Sequence, residues 1–419
     1  KEECAIDKDT YMRLGRNHLR LTEEKREEAF KAYECVRNLY RNEGLWDDCD
    51  VVLAIHRTLR KGHEEGARKR LNRFYKVYVD EVQDLTTAEL SLLLKMSANG
   101  LFLAGDPAQS VEEGVDFRYK EVRSLFYEQT SGKYMPEDPL KLHLNFRSHA
   151  GILEAADSIL CWLNTFFPGS ISALPNDKGL CTGPRPAMDV WSMFKLSNVL
   201  LQNASSDLTI LSPDQNKDDL IKNIQESLSH CTDAASLEKF VENRVMGIRE
   251  AKGLDFNEVV IVDFFSSLDE TQQKSWQTFM HHSREHSPEN HGWKSKAVGL
   301  GHDHPEVETH LKLLYTAMTR AKRRLYFIET KETKAARAFL EALSSEESQR
   351  LTQGLKTLKA NELSPDEWAA RGLDFAWKAS DDEGSGLDQQ IRDLDVAIES
   401  FGRAGLVGAA YRQKAVVHK

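Results

Sequence analysis

The sequence predicts an α/β protein of parallel sheets with flanking helices, and three observations carry that prediction. Short apolar runs recur at Phe74 to Val79, Leu101 to Ala104, Leu208 to Leu211, Glu258 to Val262 and Leu325 to Ile328. Stretches of helical spacing separate them, and this alternation belongs to parallel strands, which need long crossover connections. The first two runs end in acid-bearing turns, the placement expected of a site at the carboxyl edge of such a sheet.

Taken in order, the opening segment reads as helical. Thr22 suits a helix cap with Glu23 and Glu24 in the first turn, and Ala29, Tyr33, Val36 and Tyr40 fall on one face. A return helix is expected from Trp46 through Leu59. The strand Phe74 to Val79 then runs into Asp80-Glu81-Val82-Gln83-Asp84, a helix follows from Thr86 to Met96, and the second strand runs into Gly105-Asp106-Pro107-Ala108-Gln109-Ser110-Val111.

Further on, Leu142-His143-Leu144-Asn145-Phe146-Arg147-Ser148 sets an arginine after an extended run. A helix from Gly151 to Asn164, a loop rich in Pro and Gly from Pro168 to Pro186, and a strand stopped by Ser212-Pro213 come next. Arg249-Glu250-Ala251-Lys252-Gly253-Leu254-Asp255-Phe256 leads into the strand Glu258 to Val262. Tyr315-Thr316-Ala317-Met318-Thr319-Arg320-Ala321-Lys322 closes a helical pattern and enters the last strand. Beyond Lys331 the composition turns to helix formers, with breaks at Leu363-Ser364-Pro365 and Asp381 to Gly386 and an apolar stripe of Ile391, Leu394, Ile398 and Phe401.

A carboxylate pair at the end of a parallel strand is where nucleotide-hydrolysing folds hold Mg²⁺ and position water. On that chemistry Asp80 meets the metal, Glu81 polarises the attacking water, and Gln109, on the next strand's turn, is the candidate γ-phosphate sensor. The same residues would suit an ordinary solvated turn, and each arginine taken singly suits a surface ion pair.

Taken in succession, the five blocks resemble the UvrD/Rep-like superfamily 1 helicases, whose blocks read DExQD, GDxxQxI, LxxNFRS, hxAKGLEF and YxAxTRAxxxL. The resemblance covers roughly residues 40 to 330, and the wording is most similar to the helicase portion of large tetratricopeptide-and-ankyrin-repeat proteins. It implies two RecA-like lobes of P-loop NTPase fold, the first incomplete, followed by an α-helical tail. The implied boundaries are a helical insertion and return segment over 1–73, the rest of the first lobe over 74–139, the second lobe over 140–335, and a helical, tetratricopeptide-like tail over 336–419. One or two such units look like any helical hairpin.

The resemblance also implies ATP and Mg²⁺ as cofactors and 3′ to 5′ movement on a single nucleic-acid strand, DNA in preference to RNA. Arg147 and Arg320 become arginine fingers, Asp255 stands where the family has a glutamate near the ribose, and Lys252 and Gly253 join it in nucleotide binding. For Asp255 a turn carboxylate is the competing reading. Gly247 and Arg249 depart from the usual threonine and histidine; Gly247 lacks the hydroxyl that contacts the strand, and Arg249 offers a charge in its place. The short stretch from Ser148 to Val241 leaves no room for the large accessory domain of many relatives, which argues against strong duplex unwinding.

No G-x-x-x-x-G-K-[ST] loop, which cradles phosphates through backbone N–H groups, occurs in the sequence. Ser131-Gly132-Lys133 is the nearest echo and reads as a turn. The chain is therefore expected to be cut from a longer protein with that loop upstream; the alternative is a catalytically inactive, helicase-like scaffold that binds nucleic acid or protein partners. Those partners would meet the helical tail.

The 419 residues are 40 % hydrophobic and 29 % charged, ordinary for a globular protein of two or three domains. No apolar run suits a bilayer span, and the expected setting is intracellular, nucleus or cytoplasm. Six cysteines without a Cys-x-x-Cys pair point to buried, reduced thiols. His281, His282, His286, His291, His302, His304 and His310 sit in a polar stretch that reads as a flexible insertion rather than a metal site. A net charge of −10 excludes a protein that coats nucleic acid by overall electrostatics.

Overall fold

The computed structural model describes residues 7–14, 23–64, 74–112, 119–132, 136–171, 177–202, 208–228, 240–285 and 293–343, with Leu394 and Ile398. The chain divides into two compact units, Lys1–Pro139 and Leu140–Lys419.

In the first unit, α1 (Lys8–Arg13) is capped by Asp7, whose carboxylate accepts the Thr10 N–H at 2.8 Å. It packs on α2 (Glu23–Glu43) through Tyr11 and Phe30, whose ring centroids are 5.4 Å apart. The expected face of α2 is corrected here. Phe30 and Arg26 are the buried residues, while Tyr33 and Val36 of the predicted stripe stay 37 % and 46 % exposed. The six-residue α1 covers only the start of α2, and Arg26 is drawn in by the Met12 and Leu14 carbonyls left open at the end of α1. Thr22, the expected cap, lies outside the described residues. Helix α3 (Asp48–Glu64) is tied to α2 by Arg37, which bonds both Asp50 carboxylate oxygens at 2.7 and 2.8 Å.

Strands β1 (Val77–Val79) and β2 (Leu101–Leu103) pair in parallel, Tyr78 opposite Phe102, with α4 (Thr87–Met96) as the crossover. A capping box starts α4: Thr86 accepts the Glu89 N–H and Glu89 accepts the Thr86 N–H. Helix α5 (Tyr119–Gln129) completes one covered face, where Val82, Leu90 and Val122 form the core with Val79 and Leu103 around them. On the other face Tyr78 and Phe102 stack with centroids 4.9 Å apart. Ser131 and Gly132, at φ 52° and 74°, turn the chain after α5, as read from the sequence; Lys133 lies outside the described residues.

In the second unit, β3 (Leu144–Asn145) pairs with β4 (Lys178–Gly179) beside α6 (Ala150–Phe166). The main sheet is five-stranded and parallel throughout: β5 (Ala187–Val190), β6 (Leu208–Ser212), β7 (Val245–Gly247), β8 (Phe256–Val262) and β9 (Ala321–Glu329) in the order β5-β9-β8-β6-β7. Side chains alternate across it. Val260, Val262 and Ile328 join the core shared with α7 (Met193–Gln202) and α8 (Lys217–Leu228), whereas Phe327 packs on Phe339 of α12 (Lys334–Leu343).

Between β8 and β9 run α9 (Glu270–Glu285), α10 (Trp293–Asp303) and α11 (Pro305–Met318). These helices correct the reading of the histidine-bearing stretch as a flexible insertion. Trp276, Phe279 and Met280 stand at i, i+3 and i+4 and are wholly buried, which anchors an otherwise polar α9. His310 accepts the Trp276 indole N–H at 3.0 Å, and burial holds its pKa down at about 4. His286 and His291 lie outside the described residues.

The cysteines also differ from expectation. Cys35, Cys49, Cys161 and Cys181 are free and exposed; Cys4 and Cys231 lie outside the described residues. Of the tail stripe, Leu394 is helical and buried and Ile398 helical and half-buried; Ile391, Phe401 and both expected breaks lie outside the described residues. Among the described residues no helix is long and apolar enough to cross a membrane.

Candidate functional site

The turns after β1 and β2 are sewn together. Ala104 N–H donates to the Val79 carbonyl at 2.8 Å, and Val82 N–H donates to the Ala104 carbonyl at 3.0 Å. Between those bonds the chain passes through Glu81 at φ 51°, ψ 40°, a left-handed conformation that a non-glycine residue rarely holds without support. Asp80 sits at the strand end, exposed, with Oδ1 accepting the Glu81 N–H at 2.9 Å. Gln109 occupies the short helical turn Pro107–Gln109 and donates its side-chain amide to Asp106 Oδ2 at 2.9 Å, while Asp106 Oδ1 caps that turn through Ala108 N–H.

A residue that sequence reasoning left without a role joins these pieces. Gln83 is wholly buried; its amide nitrogen donates to Glu81 Oε2, and its Oε1 accepts the Asp106 N–H at 3.0 Å. Gly105 is needed there, since a Cβ on it would stand 2.3 Å from Gln83 Oε1. The signal in the sequence was an amide set between two acids in a turn, which a solvated turn does not require.

In the second unit, the residues from Asn145 to Ser148 are held by a local network. Asn145 Oδ1 accepts the N–H groups of Arg147 and Ser148 at 2.9 and 3.0 Å, closing an Asx-type turn. Ser148 Oγ donates to the Ala321 carbonyl at 2.6 Å, so the turn is fastened to the start of β9. Phe146 is left 80 % exposed, and Arg147 reaches Asp255 Oδ2 at 3.2 Å. The other oxygen of Asp255 takes Lys322 at 2.5 Å. Arg147, Asp255 and Lys322 thus gather at the amino ends of β8 and β9.

Arg320 stands beside them in sequence but is 2 % exposed. Its guanidinium donates to the Thr316 and Leu254 carbonyls at 3.1 and 3.0 Å and to Thr319 Oγ1 at 3.2 Å. Cations near it in sequence are paired as well: Lys312 with Glu308 inside the fold, Lys322 with Asp255 and Arg324 with Glu258.

At the opposite, carboxyl edge of the sheet lie Gly247 and Arg249. Gly247 ends β7, and a Cβ there would meet Asp214 Oδ1 at 2.2 Å, so the missing side chain is room for Asp214. That carboxylate accepts the Arg249 N–H at 3.2 Å and its guanidinium at 3.1 Å. Glu250 accepts the Gly247 N–H and is held by Lys217, which together keep its pKa low. Lys252 and Gly253 form the next turn, Gly253 at φ 77° allowing the chain to swing back toward β8.

The same edge holds two acids that sequence reasoning missed. Glu329 is 1 % exposed, and burial pushes its pKa up to about 7 against hydrogen bonds from Ser266 and Phe265 N–H. Asp263, at φ 53°, is pushed upward by burial while accepting from Thr330. Asp263 lines a polar cleft of about 440 Å³, together with Asn216, Asp219, Lys222, Ser266 and Lys331.

Residues 4–125 match the model of the UvrD/REP helicase N-terminal domain, and residues 196–332 match that of the UvrD-like helicase C-terminal domain. The first span contains Asp80, Glu81 and Gln109, and the second contains Gly247, Asp255 and Arg320. The chain is also similar to TPR and ankyrin repeat-containing protein 1 of Homo sapiens, with 30 % identity over 416 residues, 90 % of this chain and 14 % of that protein. With its parallel α/β sheet and both domain matches in sequence order, the chain belongs to the UvrD/REP family of helicases.

Proposed function

We propose that the chain is the motor portion of an ATP-driven translocase that moves 3′ to 5′ along single-stranded nucleic acid, DNA in preference to RNA, inside the cell. The observation that supports this reading best is the joined pair of turns in which Glu81 is held beside the Gln109 turn by a buried amide. Asp80 fits the metal, because it is an exposed carboxylate at the end of β1 with Oδ1 alone engaged by the backbone. Mg²⁺ bound there would neutralise charge on the phosphate oxygens.

Glu81 orients the attacking water and accepts its proton, and Gln109 exchanges Asp106 for a γ-phosphate oxygen. Arg147 and Arg320 supply positive charge to the transferred phosphoryl group, so on this reading Arg147 leaves Asp255 and Arg320 leaves the carbonyls that now hold it. Asp255, Lys252 and Gly253 serve the nucleotide, with the exposed ring of Phe146 suited to stack on its base. Gly247 and Arg249 lie along the strand path, where Arg249 binds a backbone phosphate by leaving Asp214. Because the 419 residues hold no phosphate-cradling loop, the reaction needs that loop from outside this sequence. The helical tail is proposed to meet protein partners.

ATP turnover by the full-length protein, with and without single-stranded DNA or RNA, tests the proposal. Strand-stimulated turnover that Glu81→Gln abolishes is the expected result. Strand binding without turnover would favour the alternative, an inactive helicase-like scaffold.

A further inference from the structure

We propose that Gln83 is a positioning residue that fixes the Glu81 carboxylate and couples it to the Gly105–Gln109 turn, so that the water-polarising group and the phosphate sensor move as one unit. This rests on the proposed role of Glu81. The geometry is a chain of four residues: Gln109 donates to Asp106 Oδ2, the Asp106 N–H donates to Gln83 Oε1, and Gln83 Nε2 donates to Glu81 Oε2.

Gln83 is suited to this coupling in a way its neighbours are not. It is wholly inside the fold, so both ends of its amide must be satisfied by protein. An amide gives a donor and an acceptor in one rigid, neutral plane, and here the acceptor faces a backbone N–H while the donor faces a carboxylate. The surroundings allow little slack. Ser110 Oγ donates to the Gln83 carbonyl at 3.4 Å, and Gly105 leaves no room between the two turns for even a methyl group.

Glu81 needs such a restraint, because its left-handed backbone leaves the carboxylate direction to be set by side-chain contacts. The bond to Gln83 fixes Oε2 and leaves Oε1 to meet water. A shift of Gln109 on loss of a phosphate contact is passed to Asp106 and, through Gln83, to the orientation of Glu81.

Two measurements test the proposal. In the full-length protein, Gln83→Glu keeps an oxygen for Asp106 N–H but turns a carboxylate toward Glu81. Turnover should fall about 10²-fold with KM for ATP little changed, and should recover partly as pH is lowered, when the introduced carboxyl is protonated and can donate as the amide did. In a Glu81→Gln background the same change should have no further effect, because the group it positions is already lost.

The second measurement does not depend on turnover. In ¹⁵N NMR of this chain, Glu81→Ala should shift the Gln83 side-chain amide, and Gln83→Leu should speed hydrogen exchange at the Asp106 amide by about tenfold or more, the scale of one lost hydrogen bond. Unchanged signals in both variants would overturn the proposal even in a protein that turns over no ATP. Turnover that depends on Glu81 but is indifferent to Gln83→Glu at every pH would overturn it and leave the proposed function standing.

Discussion

Replacing Glu329 with glutamine should tilt the pH dependence of the second unit's stability, because two buried groups now oppose one another. Glu329 is raised from its ordinary 4.5 to about 7 by burial, so its contribution is fully present below pH 4.5 and is lost as pH rises through 7. His310 is lowered from 6.5 to about 4, so its contribution is present above pH 6.5 and is lost as pH falls through 4. Each interval corresponds to roughly 3 kcal/mol. From pH 4.5 to 6.5 the two slopes have opposite sign and largely cancel. Asp157, pushed by burial to about 6, adds to the Glu329 side, though its partial exposure weakens it. Asp263, also pushed upward by burial, adds to the same side, so the wild-type melting temperature should fall gently across that range. Glu329→Gln should become more stable as pH climbs from 4.5 to 6.5, and His310→Asn, which keeps an acceptor for Trp276, should become less stable. At about 2–4 °C per kcal/mol for a unit of this size, the slopes amount to roughly 5–10 °C. Calorimetric melts at pH 4.5, 5.5, 6.5 and 7.5 measure them. Parallel curves for wild type and Glu329→Gln would refute the reasoning, since Glu329 would then carry the same charge folded and unfolded.

A Cβ at Gly301 in α10 would stand 2.0 Å from the Phe166 carbonyl oxygen, whereas one at Gly299 meets nothing within 4 Å. Gly301→Ala should therefore cost about 1–3 kcal/mol in denaturant titrations, and Gly299→Ala should be neutral or stabilising by up to about 1 kcal/mol. In the full-length protein, Arg147→Ala and Arg320→Ala should each lower strand-stimulated ATP turnover by about 10³-fold or more, the scale of a lost arginine finger; turnover within a few-fold of wild type in a folded variant would show these side chains to be structural. The 419-residue chain by itself should show no ATP turnover in single-turnover assays, and hydrolysis that disappears in Glu81→Gln would contradict that.

The elements were legible where local pattern and tertiary need agree. The strand Glu258 to Val262 is apolar on both faces, as a strand covered by helices on both sides must be, and it forms part of the longer β8 (Phe256–Val262) in mid-sheet. Thr86 and Glu89 announce a capping box, and one forms. What failed were inferences about which face of an element finds a partner. The stripe on α2 is apolar in the sequence, yet its burial depends on the length of α1, which no pattern within α2 encodes. The histidine stretch hid Trp276, Phe279 and Met280 among polar residues, so its mean polarity concealed a narrow buried face.

The candidate site shows the same division between chemistry and pairing. Residue types and order pointed to a carboxylate pair, an amide and arginines, but not to the partners those groups hold within the fold. Arg147 lies on Asp255, Arg249 on Asp214, and Gln109 on Asp106. Each pair sets a binding group against an acid within its own unit, and each of those acids also serves a second partner. Asp255 holds Lys322, Asp214 also accepts the Arg249 backbone N–H, and Asp106 caps the turn that carries Gln109. On the proposed function, a phosphate displaces such a carboxylate from its arginine or amide without leaving it stranded, since the second partner remains. That makes exchange of partners less costly than exposure of a lone buried charge. The departures at Gly247 and Arg249 fit together in the structure: with glycine in place of a larger residue Asp214 can approach, and Arg249 satisfies its carboxylate; on the proposed function that arginine is then released to a strand.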